Sequence, residues 1–312
     1  MFTEKKTTIE NMTYIAIMSA IVIVISLVTS FIPLLGAIFS LIVPLIGTLV
    51  ALYTKPQFGF LFIIVTVGLS LVSSLHAIEN TVFFILPAVI TGLIFGIIIK
   101  KGLDASIGIL VSSIVQAIIN IGIYYLFFLI LKFDIIQLIL QIFGLSDQPA
   151  IETILGLAIL LFAMIQFLLS YLVILPQLSK FSNIKPNIRL TTLVHIWITL
   201  ASSLLIIPFA FFLQIVSYIL FGISIFSGTY LIFRIIRHKK IWHIAYICGL
   251  LFVSIIVFIG FVTTIGSEQY GLLFFAMVPF SSTLLFLLDR TILDNPIPNK
   301  ANKENIDLEE LQ

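Results

Sequence analysis

Along most of this chain the apolar residues neither alternate with polar ones nor form one helical stripe; they come in long unbroken runs. Cutting at charged residues, Pro and Gly gives ten segments, near 12–32, 34–53, 57–75, 81–99, 105–131, 154–176, 190–212, 214–233, 243–265 and 271–288. A helix needs about 20 apolar residues to cross a hydrocarbon core of about 30 Å. Strands of a membrane barrel would instead show alternating segments of about ten residues. The pattern therefore predicts an all-α, polytopic membrane protein of about ten transmembrane helices. Two of the cuts are narrow. The first and second segments meet at Pro33, and the seventh and eighth meet near Leu213. If those pairs are re-entrant, the count falls to eight.

Composition agrees with the runs. Of 312 residues 61% are hydrophobic and 10% charged, and mean hydropathy is +1.25. Soluble domains carry about 45–50% apolar and 25% charged residues, so too few charges exist here to cover a water-facing surface. A formal charge of +2 points to no polyanionic partner and hence to no nucleic acid. Cys248, the single cysteine, can form neither an internal disulfide nor a cysteine-based metal cluster. Residues 1–11, with Lys5 and Lys6, could be the basic start of a signal peptide. The apolar run Met12 to Ile32 is too long for that, and no small-x-small cleavage site follows it. It reads as an uncleaved first span.

The placement of charge gives the orientation. Cytoplasmic loops near spans carry an excess of Lys and Arg. With the N-terminus inside, the inner segments hold Lys5, Lys6, Lys55, Lys100, Lys101, Lys180, Lys185, Arg189, Arg234, Arg237, Lys239, Lys240, Arg290, Lys300 and Lys303, which is 15 of the 16 basic residues. The outer segments keep Lys132 against Glu79, Asp134, Asp147, Glu152 and Glu268. Both termini are thus expected in the cytoplasm, with the chain in the cell membrane. The organisation that follows is a cytoplasmic N-terminus (1–11), a six-helix bundle (12–178), a basic cytoplasmic loop (179–189), a four-helix membrane region (190–288) and a polar cytoplasmic tail (289–312). Residues 132–146 put Asp134, Gln137 and Gln141 on one helical face, which suits a short helix lying in the outer interface. Asp147 and Pro149 offer start signals for the helix after it.

Polar side chains at membrane depth each call for an account. Ser112, Gln116, Asn120 and Tyr124 recur every four residues and so share one face of the fifth span. Gln116 and Asn120 fall near mid-depth, as does Gln166 in the sixth span. Such amides either join helices, at about 0.6–2 kcal/mol per contact, or hold a small polar ligand. The turn His76 to Asn80 reads as solvated, with Asn80 capping the next helix. His195, Trp197 and Trp242 read as interfacial belt residues. No acidic residue falls within a span, and no catalytic, phosphate-binding or metal motif occurs. An enzyme, a bound cofactor and a metal centre are therefore not expected. Ala16-x3-Ala20 and Gly92-x3-Gly96 are small-residue pairs of the kind that let helix backbones approach closely.

The order Tyr14-Ile-Ala16-Ile-Met-Ser-Ala20, Ile32-Pro33-Leu-Leu-Gly36 and Leu86-Pro87-x4-Gly92-x3-Gly96-x3-Lys100-Lys101, with Leu287-Leu288-Asp289-x4-Asp294 near the end, resembles the YybS-like family of bacterial membrane proteins. The first six spans also resemble the substrate-capture (S) component of energy-coupling factor transporters. That resemblance implies a small-molecule pocket lined by spans five and six, with Ala16 and Ala20 facing a membrane coupling subunit that works with ATP-binding cassette ATPases. The leading expectation is a transporter-like protein binding a small, uncharged ligand through Gln116, Asn120, Tyr124 and Gln166. The alternative is a membrane scaffold or regulatory partner with no ligand, whose basic cluster from Arg234 to Lys240 would meet anionic lipid.

Overall fold

The computed structural model describes residues 5–32, 39, 41–132, 149–178, 188–237, 241–265 and 276–288. Helix accounts for 93% of the described residues and no strand occurs among them, which excludes a barrel. The main helices are α1 (Thr8–Phe31), α2 (Val43–Tyr53), α3 (Pro56–Ser73), α4 (Leu86–Lys100), α5 (Ala105–Leu131), α6 (Pro149–Leu178), α7 (Ile188–Phe212), α8 (Gln214–Arg237), α9 (Ile241–Ile265) and α10 (Met277–Leu288). Among the described residues, seven helices are long and apolar enough to span a membrane, with α4 counted together with the short turns before it. Each span keeps large apolar side chains on its surface, such as Phe60 and Ile64 on α3, Leu129 on α5 and Trp197 on α7. In water such a surface would aggregate; in lipid it is the expected exterior. The chain is a multi-pass helical membrane protein.

The chain forms two compact units, residues 1–187 and 188–312. In the first, α1 lies against α3, α2 against α4, and α4, α5 and α6 pack in succession. One end of this unit is basic. The Lys5 amide donates to Tyr53 O at 2.8 Å, Lys100 Nζ donates to Thr54 O at 3.0 Å, and the Asn11 side chain accepts from Lys55 N at 3.1 Å. These bonds gather Lys5, Lys55 and Lys100 at one end. The Thr7–Glu10 capping box starts α1 there, and Asp104 caps the start of α5.

The second segment departs from the sequence expectation of 34–53. Its described helix is only Val43–Tyr53, with Pro44 near its start. Eleven residues rise about 16 Å, roughly half the hydrocarbon thickness. Gly47, Gly92 and Gly96 let α2 press onto α4: a Cβ on Gly92 would stand 2.4 Å from Pro44 O, and one on Gly96 would stand 2.7 Å from Thr48 O. Thr48 Oγ1 lies 3.0 Å from Gly92 O at this crossing. The Gly92-x3-Gly96 pair is thus consumed inside the chain.

In the second unit the narrow cut near Leu213 separates two full-length helices, of 25 and 24 residues, with Leu213 alone outside helix. Ser203 Oγ and Ser224 Oγ lie 2.7 Å apart, Ser217 Oγ donates to Ile206 O at 3.3 Å, and His195 stacks on Tyr230 with centroids 4.2 Å apart. All three pairs are nearly symmetric about residue 213, as an antiparallel hairpin requires. Helix α10 closes onto the hairpin through Phe286, against Ile196, Leu231 and Ile235. The predicted interfacial helix 132–146 lies outside the described residues apart from Lys132, and so does the tail from 289. Helix α6 begins at Pro149, five residues before the predicted segment.

Candidate functional site

Four of the residues picked out at membrane depth fall on α5 and α6, and the fold treats them differently. Gln116 and Gln166 are both buried, and Gln116 Nε2 donates to Gln166 Oε1 at 2.7 Å. Thr91 of α4, which the sequence reading passed over, completes a three-helix contact, with its Oγ1 3.4 Å from Gln116 Oε1. That hydroxyl has one proton, and Pro87 O accepts it at 2.6 Å. The Gln116 acceptor is therefore left with only a marginal donor, at the limit of useful hydrogen-bond distance.

One turn to either side, two more polar atoms are buried with no hydrogen-bond partner among the described residues. They are Ser112 Oγ and Asn120 Oδ1. A buried unsatisfied polar group costs about 1–3 kcal/mol, so two in a row beside a weakly served amide oxygen stand out. Tyr124, a turn further, lies edge-on to Tyr125 and stacks on Phe128 of its own helix, with centroids 5.4 and 6.4 Å away. The structure thus brings Gln116 and Gln166 together, sets Asn120 beside them, and engages Tyr124 in an aromatic cluster. No basic or acidic side chain occurs in α5 itself.

Ala16 and Ala20 are both exposed, on a face of α1 shared with Met12, Ile17 and Ile21. The two small-residue pairs are opposite cases: the glycines face α2 and the alanines face outward.

Three expectations from the sequence are corrected here. Asn80 does not cap a helix; it is buried, and its Nδ2 donates to Thr29 O of α1 at 2.9 Å. His195 is no belt residue, since it is fully buried against Tyr230; Trp197 and Trp242 are exposed, as a belt requires. Arg234 does not belong to a surface cluster for lipid, because it is only 5% exposed. For Asn80 and His195, packing against a partner helix took the side chain inward.

Sequence reasoning also missed a seam of hydroxyls between α1 and α3. Ser19 Oγ and Thr66 Oγ1 are 2.8 Å apart, and Thr81 Oγ1 lies 3.1 Å from Ser26 Oγ and 2.7 Å from Ser74 Oγ. The signal was present in the spacing: Ser19 and Ser26 are seven residues apart, and Thr66, Ser70 and Ser74 recur every four. Among the described residues no group of His, Cys, Asp and Glu could hold a metal ion. Comparison with protein-family models, curated proteins and solved structures gives no significant match.

Proposed function

We propose that residues 1–187 form a ligand-binding bundle for a small uncharged molecule, captured or transported in the manner of an energy-coupling factor S component. The observation that carries this reading is the surplus of acceptors on one face of α5. Among the described residues Asn120 Oδ1 has no donor and Gln116 Oε1 has only a distant one, while Ser112 Oγ, one turn from Gln116 on α5, is buried unpartnered. Such a face suits a ligand that brings N–H or O–H groups. The lack of charge on α5 favours a neutral one. Intramembrane polar residues default to a functional hypothesis for the same energetic reason.

The outward position of Ala16 and Ala20 supports the second half of the reading. A face of small side chains admits a close helix neighbour, here a membrane coupling subunit driven by ATP-binding cassette ATPases. In this reading the basic end holding Lys5, Lys55 and Lys100 faces the cytoplasm and the chain sits in the cell membrane. Catalysis has no place in it.

A scaffold without a ligand is the second reading, and the 2.7 Å bond between Gln116 and Gln166 favours it, because that bond already joins α5 to α6. Native mass spectrometry of the purified protein separates the two. A ligand-binding bundle carries a co-purified small molecule that raises its melting temperature when added back. A scaffold is bare, and its melting ignores neutral donor-bearing compounds.

A further inference from the structure

Counted from the basic end of the first unit, Ser112, Gln116 and Asn120 follow one another at single turns of α5, and Phe127 lies on the same face two turns beyond Asn120. Seven helical residues rise about 10 Å, so Phe127 stands at the end of the polar face remote from the lysines. There Phe83, from the chain before α4, packs on it, with ring centroids 4.8 Å apart and planes inclined at 56°. Both rings are half-buried. The face that begins with unserved acceptors thus ends under a pair of aromatic rings contributed by two different elements.

Phe83 sits on a π turn, Thr81–Ile85, in which Leu86 N–H reaches back five residues to Thr81 O. Among the described residues no other π turn occurs, and such turns are frequent at functional sites. Both flanks of this one are fixed. Thr81 Oγ1 lies against the Ser26 and Ser74 hydroxyls, Asn80 Nδ2 donates to Thr29 O, and beyond the turn Gly92 is pressed onto Pro44. The stretch between them is less determined. In an α register Leu86 N–H bonds Val82 O, and Phe83 O is left without a donor, because Pro87 has no N–H. In the π register the same missing N–H leaves Val82 O without one. Either register leaves one carbonyl short, so hydrogen-bond count does not choose between them. Exchange between them moves the extra residue along the helix and turns Phe83 by about 100° about the axis, which carries its ring off Phe127.

From this geometry we infer that Phe83 and Phe127 form a gate to the α5 face, with the π turn as its hinge and the end remote from the lysines as the route of entry. The inference rests on the ligand-binding reading for what passes the gate, whereas the gate itself is a property of the chain alone. Closed, the two rings cover the outward end of the face, and Asn120 Oδ1 is buried. Open, they admit a small molecule to the acceptors of Asn120 and Gln116. Neither the turn nor α5 carries a charged side chain, so the passage suits the same neutral class of ligand as the face behind it.

The test uses the purified full-length protein with no ligand added. In a Cys248→Ser background Asn120→Cys supplies a single thiol behind the gate, and its rate of modification by a water-soluble methanethiosulfonate is measured. With the open state a minor one, populated at about 10% or less, Phe83→Ala is expected to raise that rate about tenfold or more. Phe127→Ala does the same from the other helix, and the double variant goes no faster than either single one. Phe84→Ala, one position along the turn, leaves the rate unchanged. Equal rates with and without Phe83→Ala overturn the proposal, as does equal acceleration by Phe84→Ala. Should Phe83→Ala not fold, Phe127→Ala decides in the same way. A protein that proves bare in native mass spectrometry refutes the ligand reading and leaves a gated thiol standing, while an ungated thiol refutes the gate and leaves the ligand reading standing.

Discussion

Gln116 and Gln166 show how an interhelical bond and a binding face differ in their response to substitution. Replacing one amide with Leu strands its partner in an apolar interior, at about 1–3 kcal/mol, whereas replacing both removes the need and comes near to neutral. A double-mutant cycle on melting is therefore expected to show strong coupling between these positions. The bond alone explains that result, so it does not establish a ligand. Asn120 does separate the readings, because among the described residues its Oδ1 has no partner to strand. Asn120→Leu is expected to stabilise the ligand-free protein by about 1 kcal/mol while abolishing ligand-dependent stabilisation. Gly92 gives a prediction of the opposite kind. Gly92→Val places carbon against the backbone of Pro44, and a loss of about 3 kcal/mol or more is expected, read as a fall in melting temperature. By contrast Ala16→Leu and Ala20→Leu, on an outward face, are expected to leave melting unchanged. In the transport reading they prevent a coupling subunit from co-purifying.

Among the elements, the long spans were legible because hydropathy over 20 residues needs no knowledge of neighbours. The break at Leu213 was legible too, as a length limit: the apolar run from 190 to 233 is too long for one crossing. Its hairpin predicts that Ser203→Ala and Ser224→Ala are coupled, with the double variant losing less than the sum of the singles. Other features depended on which faces meet, and no periodicity reveals that. The close crossing of α2 with α4 at three glycines is one of them. The turn from His76 to Asn80 looked like a solvated loop, yet Asn80 is buried against α1, as is Thr81 at the start of the fourth expected span. His195 and Arg234 carried interfacial residue types, and only the fold shows that they are internal, His195 by stacking on Tyr230 of α8. The amide pair on α5 and α6 lies between these cases. Each Gln was conspicuous at membrane depth, whereas their contact and the role of Thr91 required the fold.

For the molecule as a whole, Lys5, Lys55 and Lys100 at one end of the first unit agree with a sequence in which 15 of 16 basic residues fall on one expected side. Reporter fusions after Lys101, Lys185 and Lys240 are expected to report cytoplasm, and one after Asp147 the outside. An outside signal at Lys185 breaks the order of the first six helices. The central claim is that the α5 face takes up a neutral ligand through acceptors the protein leaves unserved. Its most direct test is native mass spectrometry of the unmodified protein beside the Gln116→Leu/Asn120→Leu variant, prepared identically from membranes. The account predicts an adduct of small-molecule mass on the unmodified protein and none on the variant, with both folded. A bare mass in both preparations, or the same adduct on each, would contradict it.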